Sequence, residues 1–190
     1  MQILHIDVTI FRPLDHTKVY IYIIMDNFSR KILGWKASLK LSARTCLENL
    51  KEVMGEYHLK DTPKKVITDG GTENNALIWD QYLSKPEINI KKLIAQCDII
   101  QSNSMVEAIN KHMKYRYLFT KPLKGFEEVH RFLEYAVPDY NNKPHGSLFG
   151  FTPNEVCDGQ IPVKDLFKDD MIAARAKRVA ENRKSNCDNC

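Results

Sequence analysis

The sequence predicts an α/β protein: a five-stranded mixed sheet with helices on its faces. Three short runs rich in β-branched and aromatic residues come first, before any helical spacing. Apolar residues then recur at spacings of three and four between two further short runs. The resulting order, β-β-β-α-β-α-β-α-α, suits a mixed sheet covered by helices.

Gln2 to Thr9 reads as the first strand, broken by Arg12-Pro13-Leu14-Asp15-His16. Lys18 to Met25 is almost continuously apolar, as a strand buried on both faces would be. Asp26 to Arg30 reads as a turn, and Ile32 to Leu39 as a third strand returning antiparallel to the second. Ser42 is a good helix N-cap type. Ala43, Leu47, Leu50 and Met54 follow at spacings of four, three and four, so a helix is expected to about Tyr57. Lys65 to Thr68 reads as a strand, Glu73 to Leu83 as a helix and Ile90 to Ala95 as the fifth strand. Ser104 to Phe119 and Gly125 to Tyr140 are two more helices. After Pro153 the texture changes, and Lys164 to Lys184, dominated by charge and alanine, is expected as a surface helix or a mobile tail. The organisation read from this is a core over 1–158 and a charged extension over 159–190.

At 190 residues the chain can form one domain with a real core and a short extension. A net charge of +4 permits a polyanionic partner without demanding one. The longest apolar run, Val19 to Met25, is far too short to span a bilayer, and no signal-peptide pattern is read, so no membrane partner is expected. Five cysteines without a framework pattern point to a reducing cytoplasm. Cys187 and Cys190 form a single C-x-x-C with no partner pair, so no zinc is assigned.

Three acids stand out. Asp7 interrupts the apolar Leu4-His5-Ile6-Asp7-Val8, Asp69 ends Val66-Ile67-Thr68 before Gly70-Gly71, and Glu107 lies in the first turn of a helix. Carboxylates at strand ends and a helix start can converge and hold divalent cations, which prefer hard oxygen donors. Each also has a plain explanation. Asp69 before two glycines is a good turn former, and Ser104-Met105-Val106-Glu107 has the form of a capping box. Asp7 is the hardest to explain away, because no turn signal accompanies it. Glu107, Lys111 and Lys114 are spaced i, i+4 and i+7 and share a helical stripe, which suits either phosphate contacts or an ordinary solvated Glu–Lys pair.

In this order and with these surroundings, the chain resembles the catalytic core of retroviral integrases and insertion-sequence transposases, the acidic-triad family. Leu4-His5-Ile6-Asp7-Val8-Thr9 resembles the first-strand motif, and Met25 to Trp35 the family's second turn and third strand. Ile67-Thr68-Asp69-Gly70-Gly71-Thr72-Glu73-Asn74 resembles the segment with the second aspartate. Asn103-Ser104-Met105-Val106-Glu107, followed by Lys111 and Lys114, resembles that with the glutamate. Tyr140 to His145 with Thr152-Pro153 is similar to a downstream signature of bacterial members. The resemblance covers roughly 1–158. Two departures stand out: the 107 − 69 = 38 positions between the second and third acids are slightly wider than usual, and Ile99 to Asn103 lacks the Pro or Gly often found there.

The resemblance implies an RNase H-like fold and metal-dependent DNA end cleavage and strand transfer. Asp7, Asp69 and Glu107 are then the catalytic, metal-holding acids, with Mg²⁺ the expected ion and Mn²⁺ a substitute. Lys111, Lys114, Asn103 and Arg116 are expected at DNA, and Asn141 and His145 in support of the site. Lys121, Lys124 and Arg131 add positive charge nearby, and Arg175, Lys177, Arg178, Arg183 and Lys184 could line a phosphate backbone or simply face solvent. Asp26 is expected to shape its turn with Ser29 and Arg30, and Glu73 to stand near the site or at a helix start. The implied partners are transposon ends and target DNA, a homo-oligomer is implied, and the implied place is the cytoplasm at the nucleoid. Family members usually carry a separate N-terminal DNA-binding domain, so a chain beginning almost at the first catalytic strand reads as a shortened form or gene fragment. Two other readings remain open at this point: an RNase H-like nuclease that cuts without joining, and a decayed, non-enzymatic DNA-binding module.

Overall fold

Strand placement follows from where the apolar residues fall. The structure, a computed structural model, describes residues 1–59, 64–74, 76–95, 97–98 and 103–187, with backbone alone at 185–187. The expectations for the 99–102 loop and for the side chains of the C-x-x-C lie outside the described residues. The described chain divides into two compact units, Met1–Asn141 and Asn142–Cys190.

The first unit holds β1 (Ile3–Phe11), β2 (Val19–Asp26), β3 (Ile32–Ser38), β4 (Lys64–Thr68) and β5 (Ile90–Ile94) in the order β3-β2-β1-β4-β5. β1 and β2 pair antiparallel, as do β2 and β3, while β4 runs parallel to both β1 and β5. This is the RNase H-like arrangement that the resemblance implies. β2 is buried along almost its whole length. Its neighbours show why, because side chains alternate between two faces and both faces are covered. On one, Leu4, Ile6, Tyr22 and Ile24 pack with Leu47, Leu50 and Val53 of α1 (Ala43–Glu56) and Trp79 of α2 (Leu77–Leu83). On the other, Phe11, Ile21, Ile23 and Met25 meet Val106, Ile109 and Met113 of α3 (Ser104–Arg116) and Val129 and Leu133 of α4 (Phe126–Asn141).

Local chemistry sets the element ends. Ser42 caps α1 by accepting from the Thr45 N–H at 3.4 Å. Gly34 lets α1 approach β3, since a Cβ there would lie 2.8 Å from Asn49 Oδ1. The second helix starts at Leu77 rather than at Glu73, because Thr72 to Asn74 form a turn closed by Asn74 N–H donating to Gly71 O at 3.0 Å. α4 continues through Pro138, which removes one N–H from its ladder. Asp26 shapes its turn as expected: Oδ2 accepts from Ser29 N–H at 2.8 Å and from Ser29 Oγ at 2.7 Å.

The second unit opens with a short 3-10 turn, Gly146–Leu148, followed by α5 (Pro153–Cys157). Thr152 and Glu155 form a complete capping box at the start of α5, with Pro153 in its first turn. Phe167 packs against Leu148, Phe151 and Val156. α6 (Lys168–Cys187) follows as a surface helix, exposed at every residue from Lys168 to Lys184. No helix among the described residues is long and apolar enough to cross a membrane.

Candidate active site

β1 carries the first acid because its alternation sends Leu4 and Ile6 to the α1 layer and His5 and Asp7 the other way. β4 leads directly into the second, Asp69. Ile3, Leu4 and His5 lie opposite Lys65, Val66 and Ile67, an offset of 62, and Asp7 and Asp69 each follow two residues beyond the last of these pairs. Glu107 sits in the first turn of α3, and the helix packs against β1.

Each aspartate is held by an asparagine. Asn110 Nδ2 donates to Asp7 Oδ2 at 2.6 Å. Asn74 Nδ2 donates to Asp69 Oδ1 at 2.6 Å, and the Gly71 N–H adds a second bond to that oxygen at 3.1 Å. At Gly71 a Cβ would fall 2.5 Å from Glu73 Oε1, so any larger residue would make the Glu73 carboxylate move. Asn74 is fully buried and also accepts from the Cys46 thiol at 3.6 Å, and its backbone carbonyl receives Lys92 Nζ. Glu73 lies beside this turn, 9 % exposed, with its carbonyl accepting from Trp79 Nε1.

The electrostatics tie the acids together. Burial pushes the Asp7 carboxyl up to about 6, the charge of Asp69 pushes in the same direction, and that of Glu107 adds to it. Hydrogen bonds from Val8 and Asn110 pull it partly back. The Cys46 thiol is raised to about 12, mainly by burial and then by Glu73, Asp69 and Asp7. Lys114 is lowered by burial and partly restored by Asp7, so this lysine reaches the field of the acids. Asp69 and Glu107 are thus both near enough to act on Asp7. Even so, no group of three acidic, histidine or cysteine side chains among the described residues is arranged to hold a metal ion.

Glu107 does not serve as a capping-box residue. The N-cap is Asn103, not Ser104, and it makes no side-chain cap bond. The Glu107 carboxylate is exposed and has no hydrogen bond or ion pair among the described residues. Lys111 and Arg116 are exposed on the same helix, with Lys114 half-buried. Asn103, expected at DNA, is 4 % exposed. Its Oδ1 meets His5 Nδ1 at 2.7 Å and its Nδ2 donates to Ile6 O at 3.1 Å. Asn141, expected in support of the acids, uses both ends of its amide on Ile32. It accepts from the N–H and donates to the carbonyl, each at 2.9 Å. His145 belongs to the second unit, where its N–H donates to Phe151 O at 3.0 Å.

Asn110, Asn74 and His5, which hydrogen-bond to Asp7, Asp69 and Asn103, were not among the expected site residues. Asn110 had a readable signal, since it is polar on the otherwise apolar inner stripe of Val106, Ile109 and Met113.

Comparisons with known proteins agree with this layout. An integrase core domain model matches residues 1–96, which include Asp7 and Asp69. A second integrase core domain model matches residues 93–153, which include Glu107. No curated protein matches. Among solved structures, the HTLV-2 integrase catalytic core domain in complex with magnesium aligns in its trimeric form with a TM-score of 0.60 at 16% identity, covering 82% of this chain and 95% of that one. Its dimeric form gives a TM-score of 0.58 at 16% identity, covering 82% and 94%. A simian T-cell lymphotropic virus intasome, in complex with PP2A regulatory subunit B56 gamma, gives 0.62 at 18% identity, covering 81% of this chain and 53% of that one. At these identities the structural likeness speaks for the fold alone. The first sequence match spans half of the chain and holds both Asp7 on β1 and Asp69 directly after β4, so the chain belongs to the integrase core domain family.

Proposed function

We propose that this chain is the catalytic core of a DNA integrase or transposase, cutting DNA ends and joining them to target DNA. One observation carries the reading: Asp69 and Glu107 both act on the buried Asp7 carboxyl, within a chain of the integrase core domain family. Crowded like charges on hard oxygen donors suit Mg²⁺, with Mn²⁺ as a substitute. Asp7, Asp69 and Glu107 would hold such ions. When bound, divalent cations neutralise charge on the scissile phosphate and make an attacking water or hydroxyl more acidic.

The chain's own residues do the rest. Asn110 and Asn74 orient the two aspartates, so little reorganisation is needed as charge builds up. Glu107 comes from a helix whose next turns carry Lys111, Lys114 and Arg116, and these would grip backbone phosphates and fix the DNA in line. Phosphoryl transfer asks mainly for such positioning and charge neutralisation. The dimeric and trimeric forms of the HTLV-2 core support an oligomer acting on paired ends.

A branched duplex that mimics the joined product tests this without knowledge of the natural end sequence. The full chain with Mn²⁺ should reverse the joining step and release a sealed target strand. Asp7→Asn, Asp69→Asn and Glu107→Gln should each abolish this, with circular dichroism unchanged. Full activity in any of the three would refute the assignment, and cleavage without resealing would favour a nuclease.

A further inference from the structure

Asn103 occupies the N-cap of α3, and its carbonyl accepts from the Glu107 N–H at 3.2 Å. An asparagine there ordinarily turns its side chain onto the first free N–H groups of the helix. This one instead reaches β1. Its Nδ2 donates to Ile6 O at 3.1 Å, which aims Oδ1 at His5 and makes His5 Nδ1 the donor of the 2.7 Å bond. Both residues are 4 % exposed. The other ring nitrogen, Nε2, lies 2.9 Å from Asn27 Oδ1, in the turn after β2. From the same turn, Arg30 reaches the sulfur of Met105 in the first turn of α3 and donates to Asn27 O at 2.5 Å. The first turn of α3 is therefore tied to the strand of Asp7 and to the β2–β3 turn, where a local cap would leave it untied.

We propose that His5, acting through Asn103, is a positioning residue for Glu107. The tie sets where α3 begins against β1, and so where the carboxylate one turn later stands relative to Asp7. This rests on the integrase-core reading, in which Glu107 completes the set of acids.

Three variants of the full chain test it, compared on the branched duplex with Mn²⁺ and, without metal, by amide hydrogen exchange at Glu107. His5→Asn keeps a donor where Nδ1 stands, whereas His5→Gln keeps only the end that faces Asn27. His5→Gln should lower kcat about tenfold or more, as small misplacements do. Its KM for DNA should stay unchanged, and the Glu107 amide should exchange faster. His5→Asn should restore both readouts. Asn103→Ser removes the tie and supplies a helix cap that offsets only part of the cost of leaving His5 and Ile6 O unpaired, so at temperatures well below its melting transition kcat should fall although the chain stays folded. A role confined to stability predicts instead activity that follows the melting temperature. Equal losses in His5→Gln and His5→Asn, or wild-type kcat and exchange in Asn103→Ser, would overturn the proposal. Full activity in Glu107→Gln would instead remove the reading beneath it, while the Glu107 amide in metal-free Asn103→Ser would still judge the tie.

Discussion

Asn110 on α3 donates a 2.6 Å hydrogen bond to Asp7 on β1, across 103 residues of sequence. This bond lowers the proton affinity of a carboxyl that burial and neighbouring acids raise. Asn110→Ala should therefore move the Asp7 carboxyl above its present value of about 6. A carbon-detected NMR titration of the metal-free protein measures this, and an unmoved or lower value would contradict the assigned cause.

The same raised carboxyl carries a stability consequence. Asp7 goes from an ordinary 3.8 to about 6 on folding, so the folded state binds its proton more tightly. Between those values stability falls as pH rises, and above about 6 the ionised group opposes folding by up to roughly 2–3 kcal/mol. Asp7→Asn should thus stabilise the metal-free protein at pH 7.5, and the gain should vanish below the ordinary carboxyl range. Urea unfolding at the two pH values checks the sign.

Asn141 closes the start of β3 with two hydrogen bonds to Ile32, buried at both residues. Asn141→Ala leaves a buried N–H and a buried carbonyl unpaired. A loss of about 1–3 kcal/mol is expected in denaturant unfolding. If its role lay mainly at the acids, stability would hold and only DNA joining would fall.

Lys111 and Lys114 should act on DNA through charge. Replacing either with Gln should weaken binding about equally on unrelated sequences and reduce the slope of log affinity against log salt by about 1. Fluorescence anisotropy over a salt series reads both. A sequence-selective loss at constant slope would argue for base contacts instead.

Cys46 is fully buried, and its thiol is held up at about 12, whereas Cys97 is exposed. Alkylation of native protein at pH 8 should label Cys97 and spare Cys46 until the chain is unfolded. Peptide mass spectrometry separates the two sites.

Much of this was readable from local signals. The β-branched runs marked every strand within a residue or two, and Ser42 marked the start of α1. Local signals failed where a polar side chain was drawn to a distant partner. The helix expected from Glu73 begins at Leu77 because Asn74 is held in the turn that orients Asp69. The capping box expected at Ser104 does not form. Asn103 read as a DNA contact and Asn141 as a support for the acids, yet their partners, His5 and Ile32, lie 98 and 109 residues away. Pairings of that range leave no periodicity in a sequence. Asp7 and Asp69 stand out in the sequence because carboxylates within or beside apolar strands conflict with their surroundings.

The offset that sets Leu4 opposite Val66 also puts Asp7 and Asp69 the same two residues beyond the last paired position, His5 with Ile67. Leu4 and Val66 are both fully buried, so the core enforces this alignment whatever the fate of the acids. A slip of one position would turn Leu4 and Ile6 toward the opposite layer and Asp7 away from its partner in a single stroke. Evolution can therefore discard the chemistry here by changing one carboxylate, but it cannot misalign the pair without unmaking the protein.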